Sequence, residues 1–520
     1  MRSLSEHSRF LALVVLLLLA LVVLNVRKKH VEKGIQVRES LLDTAVPTPL
    51  LAIRAEQQDS PPLAAFIVHG YQCNKAMMVQ LGKYLALNGI NSYLIDLPGH
   101  GSSRARFDSE ACYAIVRDTI RRLVDAERLD PTRVALIGHS LGAMIVAKIG
   151  IENSDFRASV LIGPGFEPGF THTAPANTLF VVGEGDHPFI REATRRMVRA
   201  ATGKGEVAAQ TLYGSFRSGN ARQLVVIPGV GHVGLVYTQE VYSKTADWIF
   251  LSLLDRGRPS GPHGSPSLLA VSLLSAALAV AFVTLVSIWI VTVVPPHCPG
   301  PNSFVSTKPT FDLLILILAW VFSLNVLAYS VPLRFLSLEE GEVIASLLFL
   351  GGLLGMAGWL AFRRRIRILP TRQTVRVLAI AGAMFALYYF AAMLFVSQEL
   401  YQMTLNVDRA WRCTVIAASI FPLFLLEEGI FRGIQGKRAG TTWRILNSFW
   451  GGTAFLSVVA CSAIIRDVEL ARFVPLMIAV VTGLQALSCS LYEVTPTHLL
   501  TAAFQCLVIG WVLSVGFAIN

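Results

Sequence analysis

Val134-Ala135-Leu136-Ile137-Gly138-His139-Ser140-Leu141-Gly142 is the stretch whose reading decides the fold. An apolar run of strand length ends in glycine, histidine and serine, and a small-residue helical stretch follows. A serine at such a strand-to-helix turn takes a strained backbone conformation, so the positions two before and two after must be nearly free of side chain. Gly138 and Gly142 meet that demand. The stretch reads as strand, sharp turn and helix, with Ser140 presented as a nucleophile.

Outward from this turn, short apolar runs alternate with helical patterns. Leu50–Arg54 and Ala64–His69 read as buried strands, with Pro61-Pro62 marking the turn before the second. A helix over Lys75–Leu87 turns Met77, Leu81, Tyr84 and Leu85 inward and closes at Asn88-Gly89. Ser92–Asp96 is the next strand, and a helix from Asp108 to Glu127 leads through Asp130-Pro131 to the strand that carries the serine. Ser159–Ile162, Thr178–Val182 and Leu224–Ile227 are later strands, separated by helices near Ile190–Ala201 and Thr238–Leu253. This alternation implies a parallel-rich sheet with helices on both faces.

The rest of the chain has another character. Of its 520 residues 53% are hydrophobic, and the mean hydropathy of +0.55 exceeds that of an ordinary soluble protein. The excess lies in Phe10–Val26 and in the long apolar blocks after Leu268. Phe10–Val26 runs straight into Arg27-Lys28-Lys29 without a small-residue cleavage site, so we read a retained anchor. Further candidate spans are Leu268–Val294, Phe311–Val331, Val343–Phe362, Val375–Val396, Cys413–Leu426, Phe449–Ile465, Phe473–Leu491 and Leu499–Ala518. The expected organisation is an anchor over 1–30, an α/β domain over 31–258 and an all-α polytopic transmembrane domain over 259–520 with about eight helices, which makes an integral multi-pass membrane protein.

The net charge of +11 sits beside the apolar spans, at Arg27–Lys29, Arg363–Arg367 and Arg432–Arg444. There it fits anionic lipid headgroups rather than nucleic acid. Orientation is contradictory at this level. The first cluster places the α/β domain in the cytoplasm, while alternating threads that put the other two inside place it on the outer face, towards which the balance leans. Seven cysteines without paired spacing give neither a metal motif nor a disulfide framework; Cys73 and Cys112 are expected as buried thiols. No cofactor is implied.

Five motifs carry a resemblance: Val68-His69-Gly70-Tyr71, Asp96-Leu97-Pro98-Gly99-His100-Gly101-Ser102, Gly138-His139-Ser140-Leu141-Gly142, Gly183-Glu184-Gly185-Asp186 and Pro228-Gly229-Val230-Gly231-His232. In this order, Leu50–Leu254 resembles an α/β hydrolase, most similar to the serine aminopeptidase and monoacylglycerol lipase group. The resemblance implies a serine esterase or lipase-like hydrolase. A serine hydroxyl needs a base, and the base needs a carboxylate to orient it. In α/β-hydrolase order the acid and then the histidine follow the serine, which assigns Ser140 as nucleophile, His232 as base and then acid, and Asp186 as orienting group. Glu184 competes with Asp186 but lies nearer the strand end. Backbone N–H groups of Tyr71 and Leu141 are the expected oxyanion donors. His69 and His100 are expected to hold loops through backbone hydrogen bonds, His139 to pack beside the turn, His187 to face solvent, and Lys75 to be a solvated helix start.

Only a short Gly- and Pro-rich loop separates Ile162 from Thr178, so no large lid is expected over the site. An open site beside a bilayer suits membrane lipids or another lipophilic ester as substrate. Amide, thioester or peptide cleavage uses the same intermediate. Transfer to an alcohol through the same triad, and a non-catalytic scaffold or transporter, are the other readings.

Glu427-Glu428-Gly429-Ile430-Phe431-Arg432 ends an apolar run, and ionisable groups at membrane depth are costly. The run resembles the first motif of the CAAX-protease and bacteriocin-processing membrane family, in which paired glutamates activate water. That family also uses a histidine four residues after a phenylalanine and a later histidine with an Asn or Asp partner. Here Val459 follows Phe455 at the first place, and at the second His498 is present but Ala502 replaces its partner. The plainer reading is a helix end where Glu427, Glu428 and Arg432 pair at helical spacing.

Overall fold

The computed structural model describes residues 4–44, 46–56, 61–165, 169–258, 267–293, 309–363, 371–435, 474–494 and 497–520. They form two compact units. One, the sheet unit, gathers Leu19–Leu278 with two short segments from far along the chain, Ala392–Thr404 and Ala518–Asn520. The other, the helical unit, comprises Met1–Leu18, Ala279–Ala391 and Leu405–Phe517.

The sheet unit is built on nine strands among the described residues: β1 (Ile35–Leu42), β2 (Thr48–Ala55), β3 (Leu63–Val68), β4 (Ile90–Ile95), β5 (Val134–His139), β6 (Ala158–Ile162), β7 (Thr178–Gly183), β8 (Leu212–Tyr213) and β9 (Arg222–Ile227). Their spatial order is β1-β2-β4-β3-β5-β6-β7-β9-β8. From β4 to β9 every pairing is parallel, and only β1, β2 and β8 join antiparallel. Strands β3 to β7 are buried at every position, which is why they read as continuous apolar runs rather than alternating ones.

Period-two geometry sends neighbours to opposite faces. Phe66, Val68, Leu136, Phe180 and Val182 pack on one face with helices α3 (Ser109–Ala126), α4 (Leu141–Glu152) and α5 (Pro188–Thr202). Ala65, Ile67, Ile137, Leu179 and Val181 pack on the other with α2 (Val79–Leu87) and α6 (Gln239–Leu254). Local signals agree with this packing. Asp108 caps α3 by accepting from the Ala111 N–H at 2.6 Å, and Cys112, Val116, Ile120 and Leu123 form its buried stripe. The helix expected over Lys75–Leu87 begins as a 3-10 turn, Lys75–Met78, before α2.

The helical unit draws on α1 (Leu4–Val31), α7 (Ser267–Val293), α8 (Pro309–Tyr329), α9 (Gly341–Arg363), α10 (Thr371–Phe395), α11 (Val407–Gln435), α12 (Val474–Val494) and α13 (His498–Gly516). Among the described residues six of these helices are long and apolar enough to cross a membrane, and Phe311–Leu327 and Val480–Tyr492 are shorter apolar stretches. The span expected over Phe449–Ile465 lies outside the described residues. Helix α11 starts well before the expected Cys413, because the buried Arg409 and Arg412 spend their guanidinium groups on carbonyls. Arg409 donates to Ser514 O and to Phe517 O (3.1 Å) at the end of α13, and Arg412 donates to Leu336 O at 2.5 Å. Where α11 meets α13, a Cβ on Gly510 would lie 2.7 Å from Cys413 O, so only glycine permits that approach.

Candidate active site

Ser140 stands between β5 and α4 with φ 52° and ψ −116°, a conformation rarely adopted outside glycine. The turn is tight enough that a Cβ on Gly138 would sit 2.2 Å from Gly142 O, and one on Gly142 would sit 2.2 Å from Val68 O. Both glycines are therefore dictated by the turn. The Ser140 N–H donates to Ile162 O at 2.9 Å, fixing the turn to the end of β6. On the other side, the Cα of Gly70 faces the same turn, for a Cβ placed there would lie 2.9 Å from Ser140 Cβ. Tyr71 follows Gly70 directly, and Leu141 follows Ser140 at the start of α4.

The ends of β7 and β9 supply the other two groups. Their loops are zipped together: Glu184 N–H donates to Ile227 O and Gly185 N–H to Val230 O, both at 2.9 Å. His232 Nδ1 then lies 2.8 Å from Asp186 Oδ1, whose carboxylate is fully enclosed. Glu184, the competing acid, is engaged elsewhere, accepting from the Gly229 N–H at 3.0 Å. His232 sits beside the serine turn: its ring lies 4.7 Å from that of His139, and its carbonyl accepts from His139 Nε2 at 3.2 Å. Its Nε2 is buried and has no hydrogen-bond partner among the described residues. An imidazole whose Nδ1–H is held by a carboxylate presents a lone pair at Nε2, the form a general base requires.

His69 and His100 hold loops, as expected. The Leu97 N–H donates to His69 Nε2 at 3.0 Å, and the Gln72 N–H donates to His100 Nε2 at 2.9 Å. Both rings therefore carry hydrogen on Nδ1, which reaches Gly70 O and Pro98 O respectively at 2.7 Å. Burial lowers the His69 pKa, outweighing the nearby Asp96 charge, so this ring stays neutral. His139 is buried at the turn, and His187 is exposed, accepting from the Phe189 N–H at 3.2 Å.

Lys75 corrects the sequence reading. It is buried rather than solvated, with Nζ 2.6 Å from Asp96 Oδ2, while its N–H donates to Asp96 Oδ1 at 2.8 Å. Asp96 also accepts from the Ser102 N–H at 2.9 Å, so it joins the loops after β3 and β4. Burial opposes its charge, but the Lys75 ammonium and the hydrogen bonds win and hold the carboxyl below its usual range. Cys112 is buried with its thiol pushed up to about 12 by burial, whereas Cys73 is only half-buried. Among the described residues no three His, Cys, Asp or Glu side chains are grouped to hold a metal ion.

The second cluster lies within the helical unit. Glu428 on α11 is buried and accepts from Ser488 on α12 and from Gln505 Nε2 on α13 at 2.7 Å, and Gln485 Nε2 donates to Glu427 Oε1 at 3.1 Å. His498 is buried and stacks on Tyr492, with ring centroids 4.8 Å apart. Arg432 lies in α11, and Val459 is outside the described residues.

A family model described as serine aminopeptidase, S33, matches residues 59–204, which include Ser140 and Asp186. No curated protein matches the sequence. Solved structures similar to this chain include TT1662 from Thermus thermophilus, 18% identical over 42% of this chain and 100% of that one, with a TM-score of 0.32. The α/β hydrolase GrgF from Penicillium sp. sh18 is 11% identical over 42% of this chain and 99% of its own, with a TM-score of 0.34. The esterase Pf2001 of Pyrococcus furiosus is 14% identical over 42% and 93%, also with a TM-score of 0.34. The sheet unit has the α/β-hydrolase fold. The parallel strand order, the strained serine turn and the matched family model together support a serine-hydrolase-type enzyme.

Proposed function

We propose that this protein is a membrane-bound serine hydrolase that cleaves a carboxylic ester of a lipid or another lipophilic substrate through an acyl-enzyme. The observation that carries the reading is the Asp186–His232 pair at 2.8 Å, with His232 Nε2 uncommitted beside the Ser140 turn. In the reaction, Ser140 Oγ attacks the carbonyl carbon as its proton passes to His232 Nε2. Asp186 holds the imidazole in the required tautomer and stabilises the imidazolium. The backbone N–H groups of Tyr71 and Leu141 receive the oxyanion, a donor of this kind being worth about 3 kcal/mol in other enzymes. The protonated His232 then gives its proton to the departing alcohol, and water repeats the sequence on the acyl-serine.

A lipophilic substrate is supported by exposed apolar side chains one to three residues from His232 and Asp186 along the chain. Phe189 and Val233 are 53% and 47% exposed, and the sequence leaves only a short Gly- and Pro-rich stretch between Ile162 and Thr178. A panel of p-nitrophenyl esters of graded chain length tests the reading. Turnover should rise from acetyl to medium and long acyl chains; a preference for acetyl, or hydrolysis of peptides alone, would contradict it. Product analysis with an added alcohol separates hydrolysis from acyl transfer.

Chain connectivity supports the outer face for the hydrolase unit. The end of α1, the start of α7, and the segments after α10 and α13 all belong to that unit. Were α7, α8, α9 and α10 each to cross a membrane, Arg363 and Arg372 would lie across it from the start of α7, on the side that the positive-inside rule makes cytoplasmic. The contrary cluster is weakened by Lys28, which lies 2.7 Å from Glu399 and is not a free charge. A single cysteine at the exposed Lys204 should react with an impermeant maleimide on intact cells; protection until lysis would reverse the assignment.

A further inference from the structure

The loop that carries Tyr71 is held from two sides, and one of them comes from more than three hundred residues away. Gln72, next to Tyr71, has φ 54°, a left-handed conformation that a non-glycine residue keeps only when its surroundings impose it. On the inner side the Gln72 N–H donates to His100, and the Lys75 N–H donates to Asp96. On the other side lies the segment between α10 and α11, which folds as part of the hydrolase unit.

Tyr401 OH of that segment donates to Gln72 O at 3.3 Å, and the Gln402 N–H donates to the buried Asn74 Oδ1 at 3.0 Å. Gln402 Nε2 bonds to Ser102 Oγ, and its Oε1 accepts from Lys75 Nζ at 3.3 Å. The segment is itself moored. Glu399 is buried against Lys83 Nζ (2.5 Å), Lys28 Nζ (2.7 Å) and Gln80 Nε2 (2.8 Å), and Leu400 O accepts from Tyr237 OH at 2.7 Å. Burial opposes the Glu399 charge, but the two ammonium groups hold its carboxyl below the usual range. Tyr237 ends the short 3-10 turn that follows His232. The strap thus touches the loop that carries Tyr71 and the turn that follows His232, through hydrogen bonds set by a buried ionic anchor.

We propose that Tyr401 and Gln402 are positioning residues for catalysis, fixing the Gly70–Lys75 loop so that the Tyr71 N–H points where the oxyanion forms. The proposal rests on Ser140 acting as the nucleophile. An oxyanion donor contributes only when it is preorganised, so loosening its loop weakens transition-state binding and leaves ground-state binding nearly unchanged.

The test uses the full-length protein in detergent micelles, with the best p-nitrophenyl ester from the chain-length panel and a trifluoromethyl ketone bearing the same acyl chain. Gln402→Ala should lower kcat about tenfold with KM within about twofold, and the ketone Ki should rise by the factor that kcat falls. Tyr401→Phe, which keeps the ring and removes only the hydroxyl, should show the same coupled pattern at about threefold. Both should keep the wild-type pH–rate profile, because His232 and Asp186 are untouched. A lowered melting temperature with kcat and Ki unchanged would overturn the proposal by showing a purely structural strap. If Gln402→Ala does not fold, Tyr401→Phe decides alone. A wild type that neither turns over the ester nor forms an adduct at Ser140 would instead sink the reading of the site, and the proposal with it.

Discussion

In the hydrolase unit two buried groups come as opposite-sign partners, Lys75 with Asp96 and Glu399 with Lys83 and Lys28, whereas in the helical unit the buried Glu428 accepts hydrogen bonds from the neutral Ser488 and Gln505. The first kind of arrangement holds the loops after β3 and β4 and the segment between α10 and α11; the second ties three helices together. A buried ion pair contributes little net stability over an apolar replacement, but losing one member leaves a costly unpaired charge. Such pairs therefore suit loops that must hold one geometry. Hydrogen bonds between apolar helices do a milder job, each worth on the order of 0.6 kcal/mol.

The largest effect that would sharpen this contrast is at the site. His232→Ala should cut turnover by about four orders of magnitude or more, and Asp186→Asn by about 10⁴, while Glu184→Gln stays within a few-fold. Comparable losses from Glu184→Gln and Asp186→Asn in steady-state kinetics would mean that the wrong carboxylate has been assigned. Next, Lys75→Met should lower stability by about 3–5 kcal/mol, read from denaturant or thermal unfolding, since it strands Asp96. The pH dependence has a defined sign. The Asp96 carboxyl is held low, so the pair stabilises the fold above the ordinary carboxylate range and loses this as pH falls through the depressed folded value. The Lys75 ammonium is buried, which disfavours its charge, yet Asp96 raises its pKa overall, so stability is lost again as pH rises through that raised value. Lys75→Met should flatten both limbs.

Much of this architecture is legible in the primary structure, because continuous apolar runs of strand length and a glycine-flanked serine have few other readings. The local geometry was legible where contacts are short-range or the motif order is fixed, as for the tight turn at Gly138 and Ser140 and the neighbouring Asp186 and His232. What escaped was set by distant partners. Strand β1 (Ile35–Leu42) is an exposed antiparallel edge carrying Arg38 and Glu39, with no periodic apolar signal. Lys75 looks solvated until Asp96, twenty-one residues on, is folded against it. The strap residues Glu399, Tyr401 and Gln402 lie in a polar interruption between apolar blocks, a signal visible in the sequence, but their partners are some three hundred residues upstream.

A smaller effect tests the helical side of the comparison. Glu428→Gln should leave ester hydrolysis within about twofold and shift stability by about 1 kcal/mol, because a glutamine keeps an oxygen that can accept from Ser488 and Gln505. A large loss of esterase activity would mean that the two units share one chemistry. Smallest of all, Arg54→Ala removes an exposed ion pair with Glu127 at 2.5 Å and should change stability by less than about 1 kcal/mol. A larger change in melting temperature would show that surface pairs matter here as much as enclosed ones.

The most direct test of covalent chemistry at the sheet edge is mass spectrometry of the full-length protein after reaction with a fluorophosphonate. The account predicts a single adduct on Ser140, absent in Ser140→Ala and strongly slowed in His232→Ala. A correctly folded wild type that carries no adduct, or carries it on another residue, would contradict it.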